Sequence, residues 1–187
     1  MIYEEGNYYH IYNRGCNKEK IFFCSENYEY LIKRMKENHK EYFVNIIAFC
    51  LMPNHFHFLL QQKSNIPLSD WLRVLFSGYT LAVNKQQNRA GTLFEGKPKK
   101  RMIDKTEYLQ HLIYYVHFNP VKAGLVFSPE EWKFSNYLEC VNKRDDYPFD
   151  ELLINEYFGS KEKYKIFVEN YYLDEKIGNK LEKYLID

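Results

Sequence analysis

His55 and His57 flank one phenylalanine in the run Leu51-Met52-Pro53-Asn54-His55-Phe56-His57-Phe58-Leu59-Leu60. Alternate side chains of a β-strand share a face. The two imidazoles therefore project together, and Phe56 and Phe58 take the opposite, apolar side. Two imidazoles about 7 Å apart on one face can converge on a single cation, with a third ligand drawn from elsewhere. Taken alone, the pattern is weak and reads first as two half-exposed strand histidines. Its spacing also fits zinc hydrolases, which usually need more ligands and often a larger barrel, and cupins, which need a longer all-β chain. A companion site has to break the tie.

That companion is Tyr108-Leu109-Gln110-His111-Leu112-Ile113-Tyr114-Tyr115-Val116-His117-Phe118-Asn119. Leu109, Leu112, Ile113 and Val116 recur at helical spacing and form a buried stripe. At about 100° per residue, His111, Tyr115 and Asn119 lie along one flank of that stripe. Tyr114 points almost directly away from it. The geometry thus prefers Tyr115 to Tyr114 as a functional phenol and pairs it with Asn119 one turn on. An Asn119 amide oxygen can serve as the missing ligand, with the Tyr115 hydroxyl beside the ion. Without the histidine pair, the same stretch is an ordinary amphipathic helix edged with tyrosine. His111 has the spacing of a general base for Tyr115, but a packing or surface role is its simpler reading.

The elements that must position these groups follow from the pattern. Asn7 to Arg14 reads as a strand rich in Tyr and Ile. Ser25 caps a helix to about His39, and Phe43 to Met52 is an apolar strand. Pro53-Asn54 turns the chain into a second strand, His55 to Gln62. Ser69 caps a helix from Asp70 to about Gln87. Gly91 to Arg101 reads as a loop containing a dense basic cluster, Lys97, Lys99, Lys100 and Arg101. The tyrosine helix opens at Asp104 or Thr106 and ends near Asn119, because Pro120 disfavours helical geometry in the residue before it. Asp150 to Phe158, Lys161 to Tyr172 and Asp174 to Leu185 read as three further helical segments, with a junction at Asp145 to Pro148. The order β-α-β-β-α, then a short strand and a helix, predicts an α+β fold: a ferredoxin-like antiparallel sheet with helices packed on it and a C-terminal helical tail.

The chain has 187 residues, 45% of them hydrophobic, enough for a sizeable core. Its 18 tyrosines mean that abundance cannot single out a nucleophile. The net charge of +1 is uneven. Residues 1–138 carry 18 Lys and Arg against 13 Asp and Glu, while residues 139–187 carry 8 against 12. A basic body with an acidic tail is compatible with a nucleic-acid partner but does not demand one. Cys16, Cys24, Cys50 and Cys140 form no C-x-x-C pair. With no leader-like start, and no apolar run longer than Ile46 to Met52, the expectation is a cytoplasmic protein with reduced thiols and no membrane partner.

The two blocks together resemble the single-tyrosine HUH transposases. Leu51 to His57 is followed by Tyr115-Val116-His117-Phe118-Asn119-Pro120-Val121-Lys122-Ala123-Gly124-Leu125-Val126. Within that superfamily the likeness is greatest to the REP-associated tyrosine transposases, which act on repetitive extragenic palindromes. Tyr9-His10-Ile11-Tyr12-Asn13-Arg14-Gly15 and Trp132-Lys133-Phe134-Ser135-Asn136-Tyr137 belong to the same resemblance, which spans roughly residues 7–140. It implies a nuclease and transposase domain over 1–140 and a helical extension over 141–187. It also implies Mg²⁺ or Mn²⁺ held by His55, His57 and Asn119, and Tyr115 as the nucleophile. The expected partner is single-stranded or hairpin DNA, bound by a monomer or homodimer. Arg14, Lys97, Lys99, Lys100 and Arg101 are candidate DNA contacts, against a solvated loop and a surface ion pair. Two rival functions remain at this point: an RRM-like module that binds single strands without cutting, and a metal hydrolase that uses water.

Overall fold

The computed structural model describes residues 3–105 and 108–171. Four strands, β1 (Tyr8–Arg14), β2 (Val44–Met52), β3 (His55–Gln62) and β4 (Lys99–Ile103), form one antiparallel sheet in the order β2-β3-β1-β4. This is the ferredoxin-like arrangement, with β1 and β3 central. The helices α1 (Ser25–Asn38) and α2 (Leu68–Gln86) cover one face, and α3 (Leu109–Lys122) crosses the other. The helices α4 (Tyr137–Cys140), α5 (Glu151–Phe158) and α6 (Lys161–Asn170) gather on the α3 side. The third C-terminal segment expected from sequence, Asp174 to Leu185, lies outside the described residues.

Strand alternation builds two unlike faces. Tyr9, Ile11, Phe49, Leu51, Phe56, Phe58 and Leu60 pack against Leu31, Trp71, Leu75 and Tyr79 of α1 and α2. On the other face, Ala48, Cys50 and Leu59 meet Leu112, Ile113 and Val116, which is the stripe expected of α3. Leu153, Ile154, Tyr164 and Val168 of α5 and α6 enter that same cluster, so these two helices share a core with the sheet.

Two helix starts differ from the sequence expectation. Cys24, not Ser25, is the N-cap residue of α1, and Asn27 Oδ1 accepts from the Phe23 N–H at 2.9 Å. Pro67, not Ser69, precedes α2. There, Gln62 Oε1 accepts from the Leu68 N–H at 3.1 Å, so the sheet satisfies a donor that a capping serine would otherwise take.

The larger differences are at β4 and Pro120. Lys99, Lys100 and Arg101 do not lie in a loop; they are part of edge strand β4, paired with β1. Short, charged and exposed, the segment has the composition by which edge strands discourage further pairing, and that composition disguised it as loop. The tyrosine helix runs through Pro120 to Lys122. Proline's fixed φ is itself helical, and what it removes is the N–H that would bond the Val116 carbonyl; one residue earlier, Asn119 Nδ2 donates to the Tyr115 carbonyl at 2.8 Å. The Asn119 carbonyl then accepts from Ala123 at 2.9 Å, completing the turn.

The hairpin before His55 also breaks a local preference. Two-residue hairpin turns favour positive φ, which neither Pro53 nor Asn54 adopts. Tertiary bonds hold it instead: the Pro53 carbonyl accepts from Ile21 and Phe22, and the Asn54 carbonyl accepts from Gly15 at 2.8 Å. Gly15 is required by close approach, since a Cβ there would stand 2.0 Å from the Glu19 carbonyl oxygen.

α3 is fastened to the sheet by a buried polar chain. Asn136 Nδ2 donates to Ile47 O at 3.1 Å, beside the bulge in β2. Its Oδ1 accepts from the Phe49 N–H at 2.7 Å and from His117 Nε2 at 2.9 Å. His117 Nδ1 therefore accepts the Tyr164 hydroxyl, at 2.5 Å. β2, α3 and α6 are joined through three fully buried side chains, Asn136, His117 and Tyr164. Replacing Asn136 with Leu orphans a carbonyl, an amide N–H and a ring N–H together. At about 1–3 kcal/mol for each buried unpaired group, urea denaturation of Asn136→Leu should show a loss of about 3 kcal/mol or more. A loss under about 1 kcal/mol would show that the chain carries little of the fold.

Candidate active site

The β1–β3 register decides which side chains meet. Tyr12 stands opposite His57, and Arg14 opposite His55. Tyr12, His10, His55 and His57 thus share the face that α3 crosses. The two histidine rings are 5.0 Å apart between centroids and nearly perpendicular, at 88°. His57 is buried and His55 half-buried.

α3 brings the phenol to this pair. The Tyr115 ring lies edge-on to His57 at 5.5 Å and to His10 at 6.1 Å between centroids. Tyr114 packs away from the site, at 4.9 Å from Phe118 and 3.9 Å from Tyr171. His111 also points towards α6, meeting Phe167 and Tyr171, which agrees with a packing role. Helical rotation alone separates Tyr114 from Tyr115; it also groups His111 with Tyr115 on one flank, and there the structure differs, turning His111 to Phe167 and Tyr171.

A cavity of about 520 Å³ opens over this face, with His55, His57 and Asn119 in its lining. Asn119 donates through Nδ2 to the Tyr115 carbonyl, so its amide oxygen remains the acceptor end. His55 Nδ1 is 2.7 Å from Asn54 Oδ1, while Asn54 Nδ2 donates to the Lys18 carbonyl at 3.3 Å. An amide oxygen only accepts, so His55 carries its proton on Nδ1 and keeps a lone pair on Nε2. Among the described residues no group of three or more His, Cys, Asp or Glu side chains is placed to hold a metal. The donors present are two neutral imidazoles and an amide oxygen, a set that fits a divalent cation through nitrogen and oxygen.

Burial keeps those imidazoles neutral. It pulls His55 down to about 4. His57 is held well below the usual range, first by burial and then by His10, His55 and Lys122. Deprotonated rings are the form a metal requires.

The basic candidates separate. Arg14 and Lys99 line the cavity, and Arg14 is paired with Glu95. Arg101 lies opposite His10 and Lys99 opposite Tyr12, both on the site face. The pleat turns Lys100 to the other face, where its ammonium lies 3.6 Å from the Tyr3 ring centre. Lys97 is exposed, two residues before the strand. Sequence reading missed three groups: Lys18 and Lys122, which line the cavity, and His10, whose Nε2 is 3.0 Å from His57 Nδ1. The Lys122 ammonium stands 5.9 Å from the Tyr115 ring centre. It reaches the site because the helix continues past Pro120.

The family model described as "Transposase IS200 like" matches residues 4–116, more than half of the chain. The chain belongs to the IS200-like transposase family. The match includes His10, His55, His57 and Tyr115 and stops before Asn119. Among curated proteins of this kind, one from Haemophilus influenzae, named as a REP-associated tyrosine transposase, is 25% identical over 126 residues, covering 62% of this chain and 70% of the relative. A solved REP-associated tyrosine transposase bound to a REP hairpin superposes with a TM-score of 0.64 at 17% identity, over 80% of this chain and 94% of that one. The transposase fold is thus shared where sequence has diverged. Among the described residues no helix is long and apolar enough to cross a membrane.

The lowered histidine pKa values set a pH dependence for the metal-free protein. The unfolded chain takes up protons near pH 6.5, while folded His55 resists until about 4. This stability is complete above about pH 6.5 and is lost as pH falls towards 4. Denaturation at about pH 5 should therefore show a loss of about 2 kcal/mol for His55 relative to neutral pH, since each unit is worth about 1.4 kcal/mol. His55→Gln should flatten the profile by that amount, and an unchanged profile would contradict burial as the cause.

Proposed function

We propose that this transposase nicks and rejoins single-stranded DNA beside hairpins, through a covalent bond between Tyr115 and a 5′-phosphate. The observation that carries the reading is the Tyr115 phenol packed on His57 within one chain. His55, His57 and Asn119 would hold Mg²⁺ or Mn²⁺. When bound, the ion would neutralise phosphate charge and hold the scissile bond in line with the attacking oxygen.

The protein's own groups account for the remaining steps. Tyr115 Oη attacks phosphorus, forming a phosphotyrosine bond as the bond to the 3′ oxygen breaks. The phenolic proton is released, and the departing 3′ oxygen takes one up, so the step is a balanced transesterification. Bond energy is kept for the reverse attack by another 3′-hydroxyl. Lys18, Lys99 and Lys122 supply positive charge in the cavity for backbone phosphates. Arg14 exchanges Glu95 for a phosphate, and Arg101 extends the basic line along β4. The phenol reaches the histidines of its own chain, so one protomer suffices. The family membership and the likeness to a hairpin-bound relative support hairpin DNA as the substrate class.

Incubation with end-labelled hairpin DNA carrying a single-stranded flank, in Mn²⁺, should give a covalent adduct on a denaturing gel. The adduct should be absent for Tyr115→Phe and formed by Tyr114→Phe. Cleavage that survives Tyr115→Phe would point to a hydrolase using water. Tight binding without cleavage by the wild type would point to a non-catalytic binding module.

A further inference from the structure

We propose that His10 is a positioning residue: it holds His57 in the one tautomer that can bind a metal. The inference rests on the metal reading above and deepens it. In the β1–β3 register His10 stands opposite Leu59, so it is the diagonal neighbour of His57 on the shared face, within reach for rings. Their centroids are 5.2 Å apart with planes at 23°, and His10 Nε2 lies 3.0 Å from His57 Nδ1. His10 is fully buried and His57 nearly so. Two ring nitrogens at that distance have one proton between them, donated by one ring and accepted by the other.

Which ring donates decides what His57 can do. Its second nitrogen, Nε2, has a lone pair for a cation only when the proton sits on Nδ1. A free imidazole favours the opposite form, with the proton on Nε2, so the surroundings must impose the useful one. For His55 that imposition is plain, because Asn54 Oδ1 can only accept. For His57 the acceptor is His10 Nε2. This places the His10 proton on Nδ1 and leaves the histidine pair without net charge. A carboxylate would orient His57 as firmly but would add negative charge to a cavity meant for phosphates. A neutral imidazole orients without repelling the substrate.

The test uses the metal-free chain and Mn²⁺ alone. Long-range ¹⁵N–¹H spectra at about pH 7.5 report which ring nitrogen is protonated, and His57→Gln assigns the His57 signal. Wild type should show His57 protonated on Nδ1, and His10→Phe should shift the proton to Nε2. Mn²⁺ affinity measured by electron paramagnetic resonance without DNA should fall about 10- to 100-fold in His10→Phe. In His10→Gln, whose side-chain oxygen can still accept, affinity should stay within a few-fold of wild type. Circular dichroism melts establish that each variant is folded. A wild-type His57 protonated on Nε2 overturns the proposal, as does folded His10→Phe that binds Mn²⁺ like wild type. Wild type that binds no Mn²⁺ overturns the metal reading itself, and the same spectra then judge the histidine pair separately.

Discussion

The meeting of the Tyr115 ring with His57 depends on two independent periodicities arriving at one place. β3 presents His55 and His57 on one face because a strand repeats every two residues. α3 presents Tyr115 and Asn119 on one flank because a helix repeats every 3.6. Neither element fixes the other's position. The packing of Leu112, Ile113 and Val116 on Ala48, Cys50 and Leu59 brings the helix down onto the sheet. The Asn136–His117–Tyr164 chain then limits its freedom to slide or roll. A shift of about 1 Å in such a helix would matter to any chemistry done between it and the sheet.

The two faces of the sheet divide the work. Aromatic side chains fill the core between the sheet and α1 and α2. The face under α3 carries buried polar groups, several of them held by hydrogen bonds that also orient them. Asn54 and His10 face the inner nitrogens of the histidine pair. The carbonyl of Tyr115 takes the amide of Asn119, so the residue that holds the phenol also turns its neighbour. Burial is costly for imidazoles near the lysines, and it is also what keeps them unprotonated at neutral pH.

What the sequence disclosed, and what it hid, follows from the range of each interaction. His55 beside His57, and Tyr115 rather than Tyr114, were legible because both depend only on local period. The role of His10 was not, because its contact with His57 exists only once β1 and β3 pair in a particular register. Lys99, Lys100 and Arg101 carry no strand-like pattern, and pairing with β1 overrides that composition. Pro120 reads locally as a stop because the preference it imposes on the residue before it is strong. The helix nevertheless runs through it, the Asn119 carbonyl accepting from Ala123 beyond it, and so carries Lys122 into the cavity. The resemblance to REP-associated transposases supplied what local pattern could not: that the strand and the helix belong to one site.

The most direct test is the distance between the phenol and a bound ion. Protein labelled with 3-fluorotyrosine gives a ¹⁹F resonance for each ring, and the one missing from Tyr115→Phe belongs to Tyr115. One equivalent of Mn²⁺, at a dilution where the protein is monomeric, should broaden that resonance beyond detection. The signal of Tyr79, a buried residue of α2 on the opposite face, should survive. A Tyr115 resonance that stays sharp with Mn²⁺ bound would mean that phenol and metal do not share a site.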